Sequence, residues 1–146
     1  MNIIGFLRYN KVKKFTIQAW IYCAIYRFLI WKVPMRKLEK HFGARDERTS
    51  KESDEAALQI AMRVSYAVNR VADKTPWESK CWVRALAAQK ILAKYHIPTT
   101  LYMGAGNGDK GEMIAHAWLR YGRFYVTGAG ELYRQFAVTA TFVKKC

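Results

Sequence analysis

Cys81 and His116 are the residues whose types and setting point most directly to chemistry. The cysteine lies in WESKCWVRALAAQKIL, Trp77 to Leu92, and the histidine follows thirty-five residues later in IAHAWLRYGRFYVTG, Ile114 to Gly128. A thiol becomes a useful nucleophile as its pKa falls, and a helix N-terminus is one setting that lowers it. Two readings of this helix start compete. With Ser79 as N-cap, Cys81 takes the second helical position, among free N–H groups. With Thr75-Pro76-Trp77-Glu78 as a capping box, Cys81 falls in the second turn, where the dipole has largely faded. A lone cysteine is more often inert core than nucleophile. Cys23, on an apolar helix, and Cys146, the last residue, are read that way.

The histidine sits in alternating sequence. Met113, Ala115, Ala117 and Leu119 point one way, small and apolar as a packed face should be. Ile114, His116, Trp118 and Arg120 point the other way, mixing polarity with a large indole as a half-open cleft would. A histidine on such a face can act as general base. His41, in a basic segment, and His96, at a helix end, are read as merely hydrogen-bonded residues.

The elements that must position this pair follow from hydrophobic period. Ile17, Trp20, Ile21, Ala24, Phe28 and Trp31 recur at helical spacing, and Pro34 ends that helix. Met35 to His41 adds a helical turn or two, and Gly43 to Ser53 reads as a linker. A second helix spans Asp54 to Ala72, with Leu58, Ala61, Met62, Ser65, Val68 and Ala72 as its inward stripe. The cysteine helix runs to about Tyr95, with Trp82, Ala85, Leu86, Gln89 and Leu92 along one side, and His96-Ile97-Pro98 stops it. The period then changes to two. Strands are expected at Thr99–Gly104, Met113–Tyr121, Phe124–Gly128 and Phe136–Val143, with GAGNGDKGE as a loop. Helices first and an antiparallel sheet after them is the α+β arrangement. The chain divides into a basic, apolar helical region over residues 1–50 and a catalytic domain over 51–146.

Composition narrows the class. A chain of 146 residues, half of them hydrophobic and 14% aromatic, has the makings of one packed core and is not disordered. The net charge of +14 points to an acidic partner: nucleic acid, a membrane surface or an acidic peptide. Three cysteines without a CxxC pair form neither a closed disulfide set nor a zinc site, so a reduced, cytoplasmic protein without metal or organic cofactor is expected. The longest uncharged run, Phe15 to Tyr26, is well short of a membrane span and reads as a buried or surface-lying helix.

WESKCWVRALAAQKIL, then TLYMGAG, then GEMIAHAWLRYGRFYVTG resembles the stand-alone cysteine leader peptidases of lasso-peptide biosynthesis, the B-proteins, over roughly Ala56 to Val143. The resemblance implies a transglutaminase-like (papain-like) cysteine peptidase fold that cuts the leader from a ribosomally made precursor peptide. It implies a separate leader-recognition protein in trans and an ATP-dependent lasso cyclase as further partners, and no nucleic acid. Carried over by position, Cys81 matches the nucleophile and His116 the general base. Fused members of the family place an aspartate where this chain has Gly128. If Gly122-Arg123 is a two-residue turn, Thr127 falls on the histidine's face and is the orienting residue. A three-residue turn puts Gly128 opposite His116, and a backbone carbonyl or Glu131 must then hold the ring. A Cys–His dyad without a third group is the remaining option. Trp77 is a candidate substrate-binding residue that either walls the cleft or anchors the core.

Two rival readings remain open. A transglutaminase-like domain can instead transfer acyl groups to amines, or bind peptide without turning it over. The basic N-terminal region, with segments such as RYNKVKKF, Arg8 to Phe15, also suits a membrane-surface or nucleic-acid binder.

Overall fold

The structure is a computed structural model that describes residues 11–45, 48–49, 54–74, 81–107, 110–111, 113–128 and 137–144. Helix α1 (Lys11–Lys32) is followed by a short α2 (Met35–Leu38) that tightens into a 3-10 turn at Glu39–His41. Strand β1 (Ala44–Arg45), helix α3 (Glu55–Lys74) and helix α4 (Cys81–Lys94) come next. Strands β2 (Thr99–Asn107), β3 (Met113–Tyr121), β4 (Phe124–Thr127) and β5 (Ala137–Lys144) complete the order. The strands form one sheet, β1-β5-β2-β3-β4, in which every neighbouring pair is antiparallel. Helices followed by an antiparallel sheet is the α+β order that the change of hydrophobic period predicts.

Local chemistry sets the ends of these elements. The Asp54 carboxylate accepts the Ala57 N–H at 3.2 Å and caps α3, while the Asp54 N–H donates to the Tyr121 hydroxyl at 3.0 Å. One residue thus ties the start of α3 to β3. At the end of α4 the Ile97 N–H reaches back to the Leu92 carbonyl and His96 N–H to that of Ala93, both at 3.0 Å. His96 adopts φ 59 there, the left-handed conformation that closes such a helix end, and Pro98 prevents its continuation.

Helix α4 lies between the sheet and the pair α1 and α3. The sequence suggests one packed side, but Val83, Ala87, Ala88 and Ile91 are buried as well as Ala85, Leu86, Gln89 and Leu92. Its alanines let neighbours approach from several directions. Within this core Gln89 Nε2 donates to the Phe42 carbonyl at 2.9 Å, joining α4 to the turn before β1. Phe42 in turn stacks on Trp82 and meets Phe142 of β5 edge-on.

Three expectations need correction. Met62 is exposed, because α3 buries Ala61, Val64, Ala67, Val68, Val71 and Ala72, a stripe that leaves Met62 outside it. The linker after Gly43 contributes edge strand β1, paired with Val143 and Phe142. Strand β2 continues through Gly104-Ala105-Gly106 to Asn107, which sequence reading assigns to a loop on its glycines. Those small residues pair with His116, Ala115 and Ile114. Expected features at Thr75–Lys80, Glu131, Phe136 and Cys146 lie outside the described residues.

Two stability predictions follow from this core. Gln89→Leu leaves the buried Phe42 carbonyl without its donor, and denaturant unfolding should show a loss of roughly 1–3 kcal/mol. Burial pushes the Cys23 thiol from 9.0 up to about 11. The folded state therefore holds this proton where the unfolded chain has lost it. The stabilisation is complete below pH 9.0 and disappears as pH rises through about 11. Replacing the thiol in Cys23→Ala should flatten that alkaline decline in unfolding free energy, whatever the variant's stability at neutral pH.

Candidate active site

Cys81 lies at the N-terminal edge of the described part of α4 (Cys81–Lys94). The N–H groups of Cys81 itself and of Trp82 lie against its thiol. A third donor comes from the sheet: the Ala117 N–H meets Sγ at 3.3 Å. That nitrogen belongs to the peptide unit joining His116 to Ala117. The thiol is therefore docked on the backbone that carries the imidazole.

The position of β4 makes this contact possible. Gly122, with φ 56, opens a two-residue turn with Arg123, and Tyr121 pairs with Phe124. A bulge between Leu119 and Arg120 then shifts the register, so that Leu119 faces Thr127. Strand β4 ends there, and just past it the Ala117 N–H turns to the sulfur. The Val126 carbonyl accepts from Ser65 Oγ at 2.5 Å and from Asn69 Nδ2 at 3.2 Å. Asn69 Oδ1 accepts from Arg84 Nη1 at 3.3 Å, and Arg84 pairs with Asp73 at 2.7 Å. Both helices thereby hold the end of β4.

That end carries the partner of the imidazole. His116 is hydrogen-bonded to the backbone carbonyl of Gly128. Gly128 adopts φ 75, and a Cβ there would lie 2.6 Å from Trp118 Cβ and 2.9 Å from the Ala117 carbonyl oxygen. Only glycine brings this carbonyl so close to β3. Thr127, expected on the histidine's face, instead shares the face of Leu119 because of the bulge. Its Oγ1 is buried with no hydrogen-bond partner among the described residues.

The face carrying His116 is more closed than its polarity suggests. Trp118 is 3% exposed and Arg120 4%. Trp118 stacks on Tyr102 (centroids 5.4 Å apart) and on His116 (5.8 Å). Arg120 donates to the Tyr102 hydroxyl at 2.8 Å and to the Thr49 carbonyl at 2.9 Å, and also to the Gly122 carbonyl. Arg48 lies over the Tyr102 ring at 5.4 Å, so residues 48–49 cover that end of the sheet. Beside His116, which is half-buried, the strand opposite offers a bare position, Gly104, and Gly106 offers another opposite Ile114.

Burial pushes the Cys81 thiol up. The N–H groups of Ala117, Trp82 and Cys81 and the charge of Arg84 pull it down without cancelling that effect. Burial likewise lowers His116, opposed by the Gly128 carbonyl. Both shifts favour the neutral forms, so the resting pair is a thiol and an imidazole.

The structure thus brings together the environments of Cys81 and His116 and leaves Thr127 aside. Trp77, Ser79 and Glu131 lie outside the described residues. His41 and His96 are exposed and far along the chain from this contact. Sequence reasoning missed Ser65, Asn69 and Gly104, although the continued alternation of small residues through GAGN was a signal for the last. Among the described residues no three His, Cys, Asp or Glu side chains converge on a point able to hold a metal ion.

The transglutaminase-like superfamily matches residues 25–141, and the chain belongs to it. No curated protein and no solved structure shows significant similarity to the chain. The match begins inside α1, whose Phe15, Ala19 and Cys23 share the core with α3, α4 and the sheet. The superfamily includes cysteine peptidases and acyl transferases.

Alkylation of Cys81 by iodoacetamide, followed by peptide mass mapping, should accelerate with pH beyond 9.0. A rate already level at neutral pH would mean a resting thiolate–imidazolium pair. Gly128→Ala combines a positive φ with a clash against Trp118, and should lower stability by about 1–3 kcal/mol. It should also reduce activity by displacing the carbonyl that orients His116.

Proposed function

We propose that this protein is a cysteine peptidase that removes the leader from a ribosomally synthesised lasso-peptide precursor. The observation that carries the reading is the contact of Cys81 Sγ with the His116–Ala117 peptide unit, with the Gly128 carbonyl holding the imidazole. The resemblance of the cysteine helix and the His-Ala-Trp strand to stand-alone leader peptidases supplies the substrate class.

The chemistry follows from this geometry. His116 takes the Cys81 proton as the sulfur attacks the scissile carbonyl, forming the S–C bond. The oxyanion is met by the Cys81 N–H, at the start of α4. His116 then gives the proton to the nitrogen as the C–N bond breaks, releasing the core peptide's amine. Water, deprotonated by His116, cleaves the thioester and frees the leader's carboxylate. The Gly128 carbonyl replaces the usual carboxylate as the orienting group, and being neutral it stabilises the imidazolium less. Gly104 opposite His116 leaves room for an extended peptide.

A separate leader-recognition protein delivers the precursor, and an ATP-dependent cyclase takes the released core. The test is intact mass of a precursor peptide incubated with this protein and its leader-binding partner. One cut at the leader–core boundary is expected, lost by at least about a hundredfold in Cys81→Ala and in His116→Ala. Products joined to an added amine would assign acyl transfer instead, and an uncut precursor with folded protein would leave a binding role.

A further inference from the structure

We propose that the outward face of α1 is a docking surface for an anionic lipid bilayer, on which the helix lies parallel to the membrane plane. Helix α1 is apolar on both sides. Phe15, Ala19 and Cys23 are buried in the core, whereas Ile17, Trp20, Ile21, Ile25, Phe28 and Trp31 are exposed. These six are most of the large hydrophobic residues exposed among those described, and Phe28 and Trp31 are 57% and 68% exposed. Packing among the described residues leaves all six at least two-fifths exposed. A contiguous apolar strip of this kind marks an interaction surface.

Charge identifies the occupant. Helix α1 contains no acidic residue, and up to Arg45 the chain carries ten Lys and Arg against the single acid Glu39. Lys14 and Lys32, both exposed, are eighteen residues apart. That is five helical turns, so they stand on one line about 27 Å apart, one at each end of the strip. The Lys32 ammonium lies 4.1 Å from the centroid of the Trp31 ring, an arrangement suited to the headgroup level. Between them an open cleft of about 340 Å³ is lined by Ala24, Arg27, Phe28 and Trp31. Arg27, half-buried, adds a further cation to the lining of that cleft. Aromatic and aliphatic residues flanked by lysines are the composition of helices that lie in a bilayer interface. No described helix is long and apolar enough to cross a membrane. The proposal is independent of the peptidase reading, because none of these residues belongs to the Cys81–His116 site.

The test is co-sedimentation of the full chain with phosphatidylcholine vesicles, with and without phosphatidylglycerol. Binding should require phosphatidylglycerol and weaken as salt is raised. Phe28→Ser combined with Trp31→Ser should lower partitioning at least about tenfold. Lys14→Gln and Lys32→Gln should each lower it about fivefold. These positions are exposed, and circular dichroism should confirm an unchanged fold. Absence of binding, equal binding to both vesicles, or binding that survives the substitutions would overturn the proposal. So would a dimer in sedimentation equilibrium that the Phe28 and Trp31 substitutions dissolve, which would assign the face to a second copy or another protein partner.

Discussion

The hydrogen bond from the Ala117 N–H to Cys81 Sγ is the contact on which the arrangement of the site depends. It is available because Cys81 lies on the first described turn of α4, which runs buried between the sheet and two helices. It also requires that β4 stop short of Ala117. The bulge at Leu119/Arg120 and the bonds from Ser65 and Asn69 to the Val126 carbonyl fix where β4 stops. A shift of α4 along its axis would cost the apolar contacts of Val83, Leu86, Ile91 and Leu92 together. The thiol is thus positioned by the whole core.

Two opposed effects act on this pair. Burial favours neutral thiol and neutral imidazole, while helix N–H groups, Arg84 and the Gly128 carbonyl favour the charged forms. Burial prevails at both residues. An aspartate at the orienting position would add a full negative charge and raise the imidazole further. A carbonyl supplies direction with less charge. Neither the thiol nor the imidazole is therefore pre-ionised.

The sequence revealed the fold's order because its two hydrophobic periods separate cleanly, and it singled out Cys81 and His116 as candidates because each stands at a chemically distinctive place. It left the orienting group undecided for a physical reason. Which side chain faces His116 depends on a one-residue bulge, and a bulge inverts faces without leaving a mark in the alternation. A backbone carbonyl was among the alternatives left open for holding the ring, but turn length alone could not select it. The glycines of GAGN signalled a loop, although in a sheet small residues also fit where a neighbour's side chain needs space. In α1 the apolar spacing was legible, but both faces are apolar, so period alone did not separate the core side from the exposed one.

The central claim is that Cys81 attacks a peptide carbonyl with His116 moving the proton. Its most direct measurement is acid quenching of the protein during turnover of a precursor, followed by intact mass and peptide mapping. The account predicts a thioester on Cys81 whose added mass is the N-terminal fragment, absent from Cys81→Ala together with the released product. Product formation at an undiminished rate in Cys81→Ala, or an acyl group mapped to another residue, would contradict it.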